Sequence, residues 1–155
     1  MESHLVTGAT GLVGMHIVLD LLNQNKKVCA TFTKNSNRSI IKHVFNHYGF
    51  SNYYDKVKWI KMDLEDVTEV YQAIKGVDFV YHSGAIVSFN KSDYEQMRRI
   101  NIEGTTNIVN ACLEHKIKKL AFISSVASIG RDGKGKYSEK NKWNSRKENS
   151  FYALT

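Results

Sequence analysis

Three glycines, Gly8, Gly11 and Gly14, punctuate the stretch TGATGLVG near the start of the chain. An apolar run from His4 predicts a β-strand before this stretch, and apolar residues at helical spacing predict a helix from about Leu12. At such a junction the three glycines allow, in order, a tight turn, close approach of backbone amides to an anion, and close packing of helix on strand. Because the first amides of a helix carry partial positive charge, the loop is predicted to bind the pyrophosphate of a dinucleotide.

The end of the second predicted strand bears on which dinucleotide would bind. An NAD site usually has a carboxylate about 20 positions after the glycine motif, to bind the ribose 2'-hydroxyl. No acidic residue stands between Asp20 and Asp55, whereas Lys34 and Arg38 could neutralise a 2'-phosphate. The missing carboxylate and these two cations favour NADP over NAD. An ordinary solvated loop at the start of a helix would explain the same residues equally well.

These residues are set in a regular alternation of short apolar runs and helix-period segments, which is typical of βαβ units with a parallel sheet. Strands are predicted at 4–7, 27–32, 57–62, 79–82 and 120–124, and helices near Leu12 and Ile40 and at the capping boxes Asp66–Glu69 and Ser92–Glu95. The predicted fold class is α/β, a Rossmann-type doubly wound parallel sheet of about five strands with helices on both faces. We expect the strand order to reverse between strands one and four, where ligands bind at the strand carboxyl ends.

Composition limits the alternatives. The 155 residues are 42% hydrophobic, which suits a single domain over residues 1–155. No apolar run is long enough for a membrane span and no secretory signal is present, so we expect a soluble cytoplasmic protein. Cys29 and Cys112 fit neither a zinc site nor a disulfide framework, and we predict no metal site. The net charge of +7 includes seven basic and three acidic residues between Arg131 and Glu148, which suggests a basic loop rather than a nucleic-acid site.

Five segments in order resemble the extended short-chain dehydrogenase/reductase superfamily, which includes NAD-dependent epimerases and dehydratases: TGATGLVG, Asp63-Leu64, HSGA, NIEGTTNIVNAC and FISSVASIG. The stretch YHSGAIVSF resembles its dihydroflavonol-reductase-like and hydroxysteroid-dehydrogenase-like subgroup somewhat more than its sugar-nucleotide subgroup. By this resemblance Asp63 would bind adenine, the Gly84–Ala85 backbone would run beside ribose and pyrophosphate, and His82 would at most position backbone. Thr33 stands where NADP-using relatives often have arginine. The implied cofactor-binding residues are Thr7, Gly8, Thr10, Gly11, Leu12, Val13, Gly14, Thr33, Lys34, Arg38, Asp63, Leu64, Ser83, Gly84 and Ala85.

The same resemblance implies catalytic roles for Ser125 and Tyr152. In the family, a YxxxK tyrosine donates a proton to a carbonyl oxygen, a lysine one turn later lowers the tyrosine pKa, and a serine binds the same oxygen. Tyr152 fits this tyrosine, and the lysine would fall immediately after Thr155. We therefore expect an amino-terminal part of a longer enzyme, inactive or nearly so without the substrate-binding part. The simpler alternative is that Tyr152 packs and Ser125 satisfies strand-end backbone groups.

The leading functional hypothesis is the NAD(P)-binding part of an oxidoreductase acting on a carbonyl or alcohol. A nucleotide-sugar epimerase or dehydratase of the same superfamily is the first alternative, and a non-catalytic dinucleotide sensor is the second. A nucleic-acid-binding module ranks last, because no predicted strand face interleaves aromatic and basic residues. The expected partners are a small-molecule substrate and, in the full-length protein, a second copy in a homodimer, with neither nucleic acid nor membrane.

Overall fold

The structure is a computed structural model, and it describes residues 2–129, 135–143 and 150–155. Gly130 and much of the predicted basic loop between Arg131 and Glu148 lie outside the described residues. The strands are β1 (Ser3–Thr7), β2 (Lys27–Phe32), β3 (Lys58–Lys61), β4 (Phe79–His82) and β5 (Lys119–Phe122). The α-helices are α1 (Leu12–Asn23), α2 (Ser39–His47), α3 (Val67–Ile74), α4 (Tyr94–Met97) and α5 (Thr105–Glu114).

The five strands form one parallel sheet in the order β3-β2-β1-β4-β5. The chain moves outward from β1 through β2 to β3, then returns to place β4 on the other side of β1. The predicted doubly wound fold and its reversal between β1 and β4 are therefore confirmed. Loops that follow β1 and β4 meet at this reversal, which is where such sheets bind ligands.

Two apolar cores cover the two faces of the sheet. One core packs α1 and α2 on the sheet and includes Val18, Ile41 and Phe45, none of which is exposed. The other packs α3 and α5 on the opposite face and includes Ile74 and Ile108, which are also fully buried. This sandwich holds the carboxyl ends of the strands in fixed relation, so the loops that follow them have a rigid base.

Helix boundaries follow the predicted signals in α2 and α3. Gly49 and Gly76 adopt φ angles of +80° and +76° just after these helices, where glycine is favoured. Asp66 caps α3, since its carboxylate accepts a hydrogen bond of 3.0 Å from the Glu69 amide. The reciprocal half of the capping box differs, because Glu69 Oε2 accepts from the Asp63 amide at 2.7 Å. Glu69 thus fastens the loop after β3 as well as the helix.

The segment before α4 departs from prediction. The Ser92–Glu95 capping box is wrong: Asn90 Oδ1 instead accepts from the Ser92 amide at 3.2 Å and caps a short 3-10 turn, Lys91–Asp93. Ser92 Oγ donates to Asp93 Oδ1 at 2.9 Å and is not available as a helix cap. The local side-chain bonds of Asn90 and Asp93 therefore replace the predicted capping box.

The long helix between β4 and β5 is not uniform, which sequence periodicity did not indicate. A π-helical segment, Arg98–Gly104, joins α4 to α5. π-Helical turns occur frequently at functional sites. The strand limits also differ slightly from prediction, since β5 ends at Phe122 rather than Ser124 and β3 is one residue shorter at each end. No helix within the described ranges is both long and apolar enough to cross a bilayer.

Candidate functional site: a dinucleotide cradle at the sheet reversal

The glycine loop after β1 has the predicted geometry. Gly8 has a φ of +62°, and a Cβ there would lie 2.6 Å from Gly84 Cα, so a side chain fits neither the conformation nor the space. A Cβ on Gly14 would run into the carbonyl oxygen of Gly8. The first and third glycines therefore let the loop contact the β4 loop and let α1 pack directly on the turn.

The amino terminus of α1 is open to solvent. Gly11 is its N-cap residue, no described side chain caps it, and its first turn contains no acidic residue. Leu12 and Val13 follow at the first helical positions and are 73% and 47% exposed. Amides at these positions have no acceptor within their own helix, and the helix dipole adds partial positive charge. This end of α1 is suited to an anion such as a diphosphate.

The loop after β2 is attached to the glycine loop through one serine. Ser36 Oγ accepts from the Thr33 amide at 2.9 Å and from Thr10 Oγ1 at 3.3 Å. Ser36 Oγ, as the acceptor of both bonds, therefore joins the loop after β2 to the glycine loop. Arg38 stacks its guanidinium 4.3 Å from the centre of the Phe32 ring, at the carboxyl end of β2.

A surface cavity of about 560 Å³ lies between the ends of β2 and β3, and it brings together Thr33, Lys34 and Asp63. The Asp63 carboxylate accepts from the Glu65 amide at 3.0 Å, so it acts as a turn residue and keeps acceptor capacity for a ligand. The cavity has the size and polarity for an adenosine group. Its lining is Thr33, Lys34, Lys61, Met62, Asp63, Glu65, Asp66, Val67 and Glu69.

Leu64 is fixed in place by contacts with the long helix between β4 and β5. Asn107 Nδ2 donates to the Leu64 carbonyl at 2.9 Å, and a Cβ on Gly104 would lie 2.8 Å from Leu64 Cβ. Leu64 also packs against Gly84, where a Cβ would be 3.1 Å from Leu64 Cδ1. Sequence reasoning assigned no role to Asn107, although a polar residue on the buried side of a predicted helix was a usable signal.

The loop after β4 is tied to β1 by Thr7. The buried Thr7 hydroxyl accepts from the Gly84 amide at 3.3 Å, and the Thr7 carbonyl accepts from Ser83 Oγ at 2.7 Å. These bonds hold Ser83 and Gly84 against the glycine loop. Ala85 continues from there into a second cavity, described below.

His82 contributes its side chain, beyond the backbone role expected from sequence. It is fully buried, with Nδ1 2.6 Å from Thr7 Oγ1 and Nε2 3.0 Å from Thr105 Oγ1. A neutral imidazole has one donor and one acceptor, which matches two hydroxyl partners. Burial lowers the pKa of His82 from 6.5 to about 4, because the charged ring would lose its hydration. His82 thus links the glycine loop to α5 as a neutral group.

Ser125 and Tyr152 line one cavity of about 150 Å³, although 26 residues separate them in sequence. Ser125 Oγ accepts from the Ala127 amide at 3.1 Å, which is the backbone role of the simpler alternative and leaves the hydroxyl proton free to donate elsewhere. Tyr152 is half-buried and begins the 3-10 turn Tyr152–Leu154. Gly84 and Ala85 line the same cavity, so the β4 loop borders both candidate catalytic side chains.

Asn101 organises this cavity and was missed from sequence. It lies in the π-helical segment, accepts from the Ile86 amide at 2.8 Å and donates to the Ile86 carbonyl at 2.9 Å. Its amide nitrogen also donates to Thr155 Oγ1 at 3.0 Å. One side chain therefore connects the β4 loop to the last turn of the chain.

Most of the predicted site residues lie along the carboxyl edge of the sheet. The cavity between β2 and β3, the open end of α1, and the cavity at Ser125 and Tyr152 follow one another along the carboxyl edge of the sheet. The side chains of Leu12 and Val13 instead line a separate apolar groove with His16 and Tyr81. Only the backbone amides of Leu12 and Val13 could serve a ligand along this edge.

Known proteins resemble this chain in both sequence and fold. The model of the NAD dependent epimerase/dehydratase family matches residues 4–155. A bifunctional dihydroflavonol 4-reductase/flavanone 4-reductase of Malus domestica is 32% identical over 130 residues, which are 83% of this chain and 36% of that protein. The chain spans between 35% and 38% of the length of four curated relatives that it matches.

Two solved structures of similar proteins have the same fold as this chain. The Thermus thermophilus UDP-glucose 4-epimerase complex with NAD is 27% identical and superposes with a TM-score of 0.76 over 98% of this chain and 46% of its own. A short-chain dehydrogenase/reductase superfamily protein of Agrobacterium tumefaciens with bound NAD is 26% identical, with a TM-score of 0.75 over 99% of this chain and 41% of its own. With the family match covering nearly every residue and the glycine loop at the sheet reversal, the chain belongs to the NAD-dependent epimerase/dehydratase family.

Proposed function

We propose that the chain binds a nicotinamide dinucleotide for an enzyme that moves hydride between the cofactor and a carbonyl or alcohol substrate. The observation that carries this proposal is the uncapped amino terminus of α1 beside Gly8 and Gly84 at the sheet reversal. Adenosine would occupy the cavity at Lys34 and Asp63, the pyrophosphate the start of α1, and the nicotinamide the cavity at Ser125. When bound, the nicotinamide supplies or accepts the hydride.

The residues around the smaller cavity support a proton-transfer role for Tyr152. In the reductive direction its hydroxyl would donate a proton to the substrate oxygen, and Ser125 would donate a hydrogen bond to the same oxygen. The Ala127 amide fixes Ser125 Oγ, and Asn101 fixes the last turn of the chain through Thr155. We further propose that residues 1–155 are the cofactor-binding part of a larger enzyme with a separate substrate-binding part, since they span only 35% to 38% of the length of four curated relatives.

A variant pair tests the catalytic roles. Ser125→Ala combined with Tyr152→Phe, made in the longer gene product, should abolish turnover with carbonyl substrates while dinucleotide affinity changes less than about threefold. Retained turnover would contradict the assignment of both residues. A protein that binds cofactor equally well but never turns over, before or after substitution, would instead be the non-catalytic sensor.

Lys34 at the larger cavity supports NADP over NAD. Three of the four carboxylates that line the cavity have partners within the protein: Glu65 pairs with Arg99 at 2.9 Å, Glu69 Oε2 accepts from the Asp63 amide, and Asp66 caps α3. Lys34 is exposed and has no carboxylate within 4.0 Å in the described part of the chain. A 2'-phosphate would give this lysine a dianionic partner.

Calorimetric titration of Lys34→Gln tests this cofactor choice. NADPH affinity should fall about tenfold, worth about 1.4 kcal/mol, while NADH affinity stays constant. Lys75→Gln, an exposed lysine at the end of α3, is the control and should change neither. An equal loss of affinity for NADPH and NADH, or no loss for either, would mean that Lys34 does not distinguish the 2'-phosphate from the 2'-hydroxyl.

Substrate class and assembly are further parts of the proposal. A nucleotide-sugar epimerase or dehydratase remains the alternative, because the family model and the Thermus thermophilus relative point in that direction. Ile102, Val109 and Leu113 are exposed apolar residues along the long helix, at 41%, 37% and 72%, which supports a homodimer in the full-length protein. Sedimentation of that protein with Leu113→Glu should show loss of the dimer.

A further inference from the structure

The positive charge of this protein is concentrated at one edge of the sheet. Residues 21–62 contain eight of the 22 basic residues and only one of the 15 acidic ones, Asp55. The remaining positions contain 14 basic and 14 acidic residues, so this segment has a net charge of +7, equal to that of the whole chain, and the basic stretch 131–148 is offset by acidic residues elsewhere. We call the eight residues the cationic edge: Lys26, Lys27, Lys34, Arg38, Lys42, Lys56, Lys58 and Lys61.

The cationic edge is exposed and largely unneutralised. All seven of its lysines are exposed, and only Lys61 has a carboxylate within 4.0 Å among the described residues, Glu69 at 3.7 Å. Two lysines lie over aromatic rings, with Lys42 Nζ 4.6 Å from the centre of Tyr54 and Lys56 Nζ 4.4 Å from that of Tyr53. Rings hold these ammonium groups in place without cancelling their charge.

Part of this edge lies at the dinucleotide cradle. Its residues belong to β2, α2 and β3 and to the loops that join them, and β3 is the outermost strand of the sheet. Lys34 and Lys61, at the carboxyl ends of β2 and β3, line the 560 Å³ cavity. Lys27 and Lys58 instead begin β2 and β3, at the amino ends of these strands, so a cofactor bound at the carboxyl ends would not touch them.

We infer that the cationic edge is a capture surface that steers an anionic dinucleotide into the cradle. A dinucleotide carries two or more negative charges, and a surface of one sign raises the encounter rate of an opposite charge by about 10- to 1000-fold. Residues that attract the ligand from a distance but do not touch it when bound change the association rate and leave the dissociation rate alone. This inference rests on the proposed dinucleotide function.

Stopped-flow binding of NADPH to the whole chain, read from the cofactor's fluorescence, tests the inference. The test variant is Lys42→Gln/Lys56→Gln/Lys58→Gln, and the matched control is Lys75→Gln/Lys91→Gln/Lys119→Gln. Both lower the net charge by the same amount, but all three control lysines, also exposed, lie outside the cationic edge. At about 20 mM salt the test variant should associate about three- to tenfold more slowly than the wild type, and the control less than twofold more slowly.

Two further measurements complete the design. At about 300 mM salt the difference between test and control should vanish, because the Debye length is then only a few ångströms. Should the triple variant fold poorly, Lys27→Gln/Lys58→Gln replaces it, since neither lysine lies over an aromatic ring in the described part of the chain. Its association at low salt should still be at least twofold slower than that of the wild type.

The outcomes separate the two proposals. Equal slowing in test and control, or a change confined to the dissociation rate, would overturn the capture surface while leaving the cofactor function intact. Failure of the wild-type chain to bind NADPH or NADH at all would overturn the proposed function itself. Slower association confined to the test variant, with dissociation within twofold of the wild type, is the result that we expect.

Discussion

Replacing Gly8 by alanine should be one of the most damaging single substitutions in this chain. Two separate costs contribute. A non-glycine residue in the left-handed region costs about 1–2 kcal/mol, and Gly8 has a φ of +62°. The added Cβ would also lie 2.6 Å from Gly84 Cα and 2.7 Å from the Ser83 carbonyl carbon. Both are backbone atoms, so no side-chain rotation can relieve the clash. Overpacking of this kind costs about 1–3 kcal/mol more.

Gly49→Ala separates the two costs. Gly49 has a φ of +80°, but nothing lies within 4 Å of a Cβ built there. It therefore reports the conformational cost alone. Urea unfolding followed by circular dichroism should show Gly8→Ala less stable than Gly49→Ala by about 1–3 kcal/mol. Equal destabilisation of the two variants would refute the close packing of the glycine loop on the β4 loop.

Three further predictions concern buried and capping groups. Burial lowers the pKa of His82 to about 4, so between pH 6.5 and 4 the unfolded chain binds a proton that the folded chain does not. The free energy of unfolding should therefore fall by up to about 3 kcal/mol as the pH is lowered over that range. His82→Gln should remove most of this pH dependence in thermal melts. His4, whose pKa is also lowered mainly by burial, should contribute to the remainder. Burial raises the pKa of Cys112 to about 11, so its labelling by a thiol reagent should be at least 100-fold slower in the native protein than in urea; comparable rates would contradict its burial. Asp66→Ala should cost about 1 kcal/mol in urea unfolding through loss of the α3 cap, and an unchanged midpoint would contradict that capping bond.

Local patterns were sufficient to predict the fold and the glycine loop. Apolar periodicity depends on which face of an element is buried, and the sheet order follows from the handedness of βαβ crossovers. Gly8 could be assigned its turn because few other residues adopt its conformation. The ends of α2 and α3 near Gly49 and Gly76 could be predicted for the same reason.

Contacts between distant segments could not be predicted in this way. Asn101 bonds Ile86 across 15 positions, and Asn107 bonds Leu64 across 43. Each depends on how the long helix sits over the loops, and that helix contains a π-helical segment that periodicity does not reveal. The engagement of Ser36 with Thr10 is of the same kind, since it requires the loops after β1 and β2 to be adjacent.

The central claim is that amides at the start of α1 hold the diphosphate of a dinucleotide. The most direct measurement is a ¹H–¹⁵N NMR titration of the 155-residue chain with NADPH. We expect the largest amide shifts at residues 8–14, with smaller shifts at 63–64 and 83–85. Saturable binding whose largest shifts fall elsewhere, with residues 8–14 unmoved, would contradict the account.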